Sequence, residues 1–184
     1  MRLPLIQTTI CSAIAIAVSS GPLAATAAMK PTGGDAAFAK AAAQGGMAEV
    51  MLGRNAAAHA SDPRIKQFGR KMVIDHSRAN GDMKRTAKML HFRLPLTPNA
   101  EQIGEEAKLM VMRGHKFDRE YVDAMVKDHK EDLEAFKNEA ANGTNPALKS
   151  FATRYVPMIK MHMVMIEHIQ MILDGKGKMP MNKM

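Results

Sequence analysis

Four long stretches of the chain step through apolar and small residues by alternating threes and fours. Each sets one ionisable residue inside that seam. The first runs Ala42, Gly45, Glu49, Leu52, Ala56, and the second Ile65, Gly69, Met72, His76, Ala79, Met83. The third runs Val122, Val126, His129, Leu133, Phe136, Ala140, and the fourth Tyr155, Ile159, His162, Ile166, Ile169, Leu173. This spacing keeps side chains on one helix face. It predicts long helices over residues 36–60, 63–91, 115–141 and 146–174, with a shorter helix over 99–113. No long run alternates with period two, so the fold class is all-α.

The breaks between these stretches carry recognisable chemistry. Asp35 is placed to cap the first helix, and Ser61-Asp62-Pro63 makes a turn with proline in the next helix's first turn. Leu94-Pro95-Leu96-Thr97-Pro98 interrupts the chain, Gly114 separates the short helix from the third long one, and Asn142-Gly143-Thr144-Asn145-Pro146 makes the last turn. Gly45-Gly46 sits mid-helix, where glycine costs stability. The pair predicts close approach by a neighbouring helix. A faint repeat relates Asp62-Pro63-Arg64-Ile65-Lys66-Gln67-Phe68 to Asn145-Pro146-Ala147-Leu148-Lys149-Ser150-Phe151. Both segments open a helix that leads to a seam histidine. Two αα-hairpins joined by a long crossover containing a short extra helix is the ferritin-like four-helix bundle.

A buried ionisable group is costly unless it is paired or binds a metal. Four such groups, one per helix, point to a site in the bundle core built from Glu49, His76, His129 and His162. Imidazoles with one carboxylate suit Zn, Fe, Mn or Cu. Asp75 and Asp128 directly precede two of the histidines and point about 100° away, which suits outer hydrogen-bond acceptors or surface groups. Tyr121 lies two turns before His129 and faces the same cavity. With a helical rise of 1.5 Å per residue, Glu49 and His76 stand roughly 19 and 22 Å from the first turn. His129 and His162 stand roughly 22 and 28 Å from the other turn. His162 is the outlier, and Pro157 should kink its helix. A metal-free Glu–His polar core is the competing reading of the same residues. His59, His91, His115 and His168 fall at helix ends or off the seam and read as surface. A di-iron carboxylate centre is disfavoured because Glu49 and Glu167 are followed, three residues on, by Leu52 and Gln170 rather than by histidine. No nucleophile triad or phosphate loop stands out.

Composition adds an address. Leu3 to Val18 is apolar but short of the roughly 20 residues a span requires. Arg2 precedes it and Ala25-Thr26-Ala27 follows as a small-x-small cleavage site. Residues 1–27 therefore read as a signal peptide, and the protein as exported to the periplasm or outer envelope. Cys11, the sole cysteine, lies in this segment without a lipoprotein box around it. Residues 28–35 read as a flexible lead, 36–174 as one bundle domain, and 175–184 as a disordered tail rich in Met and Lys. The formal charge of +8 permits weak attraction to an anionic envelope surface. The basic residues are scattered and no aromatic cluster accompanies them, so nucleic acid is not expected. Oligomeric state is left open. Of the 18 methionines, many crowd the end of the chain. Met161 and Met163 are candidate soft ligands for Cu(I), against gap-filling in the core as the ordinary role of methionine.

Several of these segments resemble one family. They are Glu49-Val50-Met51-Leu52-Gly53, Phe68 through Met72-Val73-Ile74-Asp75-His76, Phe117-Asp118-Arg119-Glu120-Tyr121 with His129, and Val156-Pro157 followed by His162. Together they resemble the bacterial "domain of unknown function 4142" family over about residues 36–174. The resemblance implies an exported, ferritin-like helical protein, and implies metal binding only by analogy with ferritin-like proteins.

Overall fold

The computed structural model describes residues 33–176. The predicted signal peptide, residues 28–32 and residues 177–184 of the tail lie outside the described residues. Five helices follow in order: α1 (Gly33–His59), α2 (Pro63–Met89), α3 (Ala100–Met110), α4 (Gly114–Asn142) and α5 (Pro146–Leu173). The predicted elements agree within a few residues. The first helix starts at Gly33, so the end of the expected lead is helical. The short helix ends at Met110, three residues before Arg113.

Helices α1 and α2 pair along their length, as do α4 and α5, and α3 lies within the crossover against α1 and α4. The two tight turns sit at opposite ends of the bundle, and two aspartates latch them. Asp118, at the start of α4, accepts hydrogen bonds from the backbone of Ser61 at 2.9 Å and of Asp62 at 3.0 Å, and from the Ser61 hydroxyl. Asp35, at the start of α1, accepts from Thr144 N at 3.0 Å, Thr144 Oγ1 at 2.6 Å and Asn145 N at 2.7 Å. Each hairpin thus binds the turn of the other through a carboxylate near the start of its first helix. Asp35 was expected to cap its own helix. It satisfies the exposed donors of the α4–α5 turn instead. Burial alone would raise the Asp35 pKa, but the Thr144 and Asn145 bonds hold it below the usual carboxylate range. The turns carry their own caps in Asp62, which accepts from Arg64 N, and Asn145, which accepts from Ala147 and Leu148 N.

Close approach between α1 and α2 rests on two glycines. A Cβ on Gly53 would stand 2.7 Å from the Gly69 carbonyl oxygen. One on Gly69 would stand 2.6 Å from the Gly53 oxygen and 2.9 Å from Ala57 N. Backbone meets backbone there, and any side chain would drive the helices apart. The predicted pair behaves differently. Gly46 makes room for the Asn80 side chain, whereas a Cβ on Gly45 would meet only Gln102 Nε2, at 3.8 Å.

The core divides into two apolar clusters. One contains Leu52, Ile65, Phe68, Met72, Phe117, Tyr121, Met125 and Ile166. The other contains Ala43, Ala79, Met83, Phe136, Leu148, Phe151, Tyr155 and Ile159. The levels left between them are those of Glu49, His76, His129 and His162. The helix α5 runs without interruption through Pro157. The anticipated misfit of His162 disappears when the heights are counted from a single end. Counted from the α1–α2 turn, where α4 begins and α5 ends, all four groups stand roughly 15–23 Å along their helices.

The glycine geometry fixes the sign of two substitutions. Gly69→Ala is expected to lower stability by about 1–3 kcal/mol, because fixed backbone atoms block the methyl group. Gly45→Ala is expected to be neutral or to stabilise by up to about 1 kcal/mol through helix propensity. Urea unfolding of both variants checks this. Equal effects would contradict the assigned α1–α2 contact.

Candidate metal centre

Every group of the central polar layer is buried. His129 and His162 are 0% exposed, His76 4% and Glu49 3%. One nitrogen from each of His76, His129 and His162 lies within 4.8 Å of the others. His76 Nε2 stands 3.3 Å from His162 Nδ1. Two nitrogens bound to one tetrahedral zinc at about 2.0–2.1 Å would be separated by about 3.3 Å. The ring centroids are 6.0 Å apart for His76–His129, 5.3 Å for His76–His162 and 5.5 Å for His129–His162.

The far nitrogen of each ring has its own anchor. His76 Nδ1 contacts Glu49 Oε2 at 2.6 Å. His129 Nδ1 donates to the Met125 carbonyl at 2.9 Å. His162 Nε2 pairs with Asp75 Oδ2 at 2.8 Å, and Lys71 holds the same carboxylate at 3.0 Å. A carboxylate or carbonyl behind each imidazole is the arrangement that orients metal-bound histidines. The inner side is under-satisfied. His129 Nε2, both Glu49 oxygens and the Tyr121 hydroxyl are buried without a hydrogen-bond partner among the described residues. The Glu49–His76 contact is therefore an ion-pair distance without hydrogen-bond alignment. Glu49 Oε1 also lies 3.6 Å from His129 Nε2. Buried polar atoms are rarely left in this state, so the donor set fits an ion or ordered water at the centre.

A family model for "Domain of unknown function (DUF4142)" matches residues 20–169. The chain belongs to this family. The DUF4142 chain is also similar to a solved structure from Streptomyces coelicolor, described as a secreted DUF305 protein. The identity is 14% and the TM-score 0.64, and the match covers 77% of this chain and 94% of that one. The likeness establishes the all-α, ferritin-like bundle fold. A search of curated proteins finds no match.

The sequence-derived candidates fall in distinct places in the DUF4142 bundle. Glu49 and the three seam histidines meet at its centre. Asp75 reaches the centre indirectly, as the partner of His162. Asp128 is half-buried on the α3 side, where its charge acts on Glu49 without touching a seam imidazole. Tyr121 stacks on Phe117 at 5.7 Å with its hydroxyl sealed in the core. Met161 is 40% exposed, whereas Met163 packs into the core cluster around Ile166, so the two point to opposite sides of α5. Asp132 was not singled out. It follows His129 by three residues and lies beside Glu49 and His76. An i, i+3 relation to a seam histidine was the available signal.

Burial dominates the electrostatics. It holds His76, His129 and His162 down to about 4 each, although neighbouring carboxylates pull the other way. It pushes Glu49 up to about 7, against the His129 charge. Asp128 rises to about 7 through burial and the nearby Glu105 and Glu49 charges. Between about pH 4 and 6.5 the unfolded chain binds protons on these histidines that the native state refuses, so their contribution to stability is lost as pH falls through that window. Glu49 acts oppositely. Its contribution is present below about 4.5 and is lost as pH rises to about 7.

Two measurements on metal-free protein follow. Ring-proton NMR is expected to show three imidazoles titrating near pH 4, and midpoints near 6.5 would contradict their burial. Glu49→Gln is expected to gain stability relative to the parent as pH rises from 4.5 to 7, by up to about 3 kcal/mol. A difference independent of pH would contradict the buried carboxyl.

Proposed function

We propose that this protein is an exported metal-binding bundle that holds one divalent transition-metal ion at His76, His129 and His162. The observation that carries this reading is the convergence of inward nitrogens, 3.3 Å apart or within 4.8 Å, with a hydrogen bond behind His129 and His162 and the Glu49 carboxylate behind His76. A structural polar core would pair all of its donors and acceptors with one another, as His76 Nε2 and His162 Nδ1 do at 3.3 Å. Here the inner atoms of His129 and Glu49 stay unpaired.

In this reading the imidazoles are the ligands. Glu49 backs His76 and supplies the nearest carboxylate to a fourth position, either as a ligand or as the acceptor for a bound water. Asp75 and the Met125 carbonyl fix ring orientation. Neutral imidazoles favour Zn, Fe or Cu, and the adjoining carboxylate admits Mn. A bound ion would supply Lewis acidity or a redox couple. Holding and buffering the ion in the envelope is the role that the enclosed layer supports, because the ligands are shielded from bulk solvent by two apolar clusters.

Export is supported by the Ala25-Thr26-Ala27 cleavage pattern and by the description of the Streptomyces protein as secreted. Among the described residues no helix is long and apolar enough to cross a membrane. Soft-metal binding by Met161 and Met163 has less support, since one side chain is in solvent and the other in the core.

The test is ligand-linked stability. At a hundredfold excess over the dissociation constant, Zn²⁺ is expected to stabilise the purified chain by about 2.7 kcal/mol, a rise of several degrees in Tm. The stabilisation should vanish in the His76→Ala plus His129→Ala variant. Melting temperatures that ignore Mn²⁺, Fe²⁺, Cu²⁺ and Zn²⁺ alike would support the metal-free core instead.

A further inference from the structure

The three imidazoles are sealed, so an ion must cross the bundle wall to reach them. One pocket in that wall leads to Glu49. It has a volume of about 90 Å³ and lies between α1, α3 and α4. Its lining includes Gly45, Glu49, Glu105, Asp128, Glu131 and Asp132. Glu49 forms the inner end, 3% exposed and with neither oxygen in a hydrogen bond among the described residues. Its oxygens stand 2.6 Å from His76 Nδ1 and 3.6 Å from His129 Nε2.

The charge in this pocket is unbalanced. Lys127, the nearby cation on α4, turns to Glu131 at 3.2 Å. Among the described residues no lysine or arginine lies within ion-pair distance of Glu105, Asp128 or Asp132. Asp132 also borders the small cavity beside His76, so carboxylates run continuously from the α3 surface to the centre. The other approach, behind His162, is the reverse case. There Lys71 pairs with Asp75 at 3.0 Å and leaves no free carboxylate at the surface.

Resting on the metal-centre reading above, we propose that this acidic pocket is the entry route by which a divalent cation reaches the three imidazoles. Glu105 and Glu131 stand at its mouth, Asp128 and Asp132 along its wall, and Glu49 hands the ion to His76 and His129. Carboxyl groups set along one narrow cleft offer a cation successive oxygen ligands on its way inward. Helix α3 forms the outer lip through Gln102 and Glu105. Its side chains are spaced off Gly45, whose missing Cβ leaves the passage open.

Stopped-flow loading of the full chain with Co²⁺, followed by its visible absorption, tests the proposal. Two variants probe the pocket by different means. Glu105→Gln plus Asp132→Asn removes carboxyl ligands, and Gly45→Leu fills space without removing any. Both are expected to load at least about tenfold more slowly. Gly45→Leu should slow loading and chelator-driven release alike, leaving the dissociation constant within about threefold, as a narrowed passage requires. Lys160→Ala, which removes an exposed charge from α5, should load within about twofold of the parent. Melting curves confirm that each variant folds.

Parent-like loading in both pocket variants would overturn the entry route while leaving the metal centre standing. Faster loading in Lys71→Ala alone would move entry to the Asp75 side and overturn it too. Absence of a cobalt spectrum in the parent protein would instead sink the metal centre, and the route with it.

Discussion

Burying three imidazoles and a carboxylate at one level of a helical bundle costs free energy that apolar packing on both sides must offset. The fold answers with two separate clusters. Phe68, Phe117 and Tyr121 close one side of the polar layer, and Phe136, Phe151 and Tyr155 close the other. This sandwich explains the electrostatics of the centre. Dehydration drives the imidazoles and Glu49 toward their neutral forms even where opposite charges are adjacent, so the layer stays proton-poor on nitrogen across the ordinary pH range.

Bringing four groups from four helices to one level demands a fixed register, and short-range contacts set it. The Gly53–Gly69 contact locks α1 to α2 backbone against backbone. Asp35 and Asp118 then tie each hairpin to the turn of the other. The related placement of these aspartates, each near the start of its hairpin's first helix, mirrors the repeat around Pro63 and Pro146. Slippage of one hairpin by a helical turn would move its ionisable groups by about 5.4 Å. That is further than the nitrogens now stand from one another.

Much of this was legible in the amino-acid pattern, because a 3.6-residue period and proline–glycine punctuation are local signals. They placed all five helices and identified Glu49, His76, His129 and His162 as a set. Features that depend on three-dimensional pairing were harder to read. Asp35 looked like a cap for its own helix, since nothing local shows that a turn more than 100 residues away offers it three donors. The height of His162 was misjudged because the two turns were used as one reference although they lie at opposite ends. Gly45-Gly46 stood out as a doublet, yet the tight crossing uses the isolated Gly53 and Gly69. Asp132 escaped notice because its spacing from His129 matters only once Glu49 faces both.

The central claim is that three separate helices aim nitrogen at a single point. X-ray absorption on the zinc-loaded full chain addresses it directly. A shell of three imidazole nitrogens at about 2.0–2.1 Å, with outer-ring scattering, is the predicted result. A sulfur shell near about 2.3 Å, or a shell of oxygen alone, would show that the ion sits elsewhere and would contradict the account.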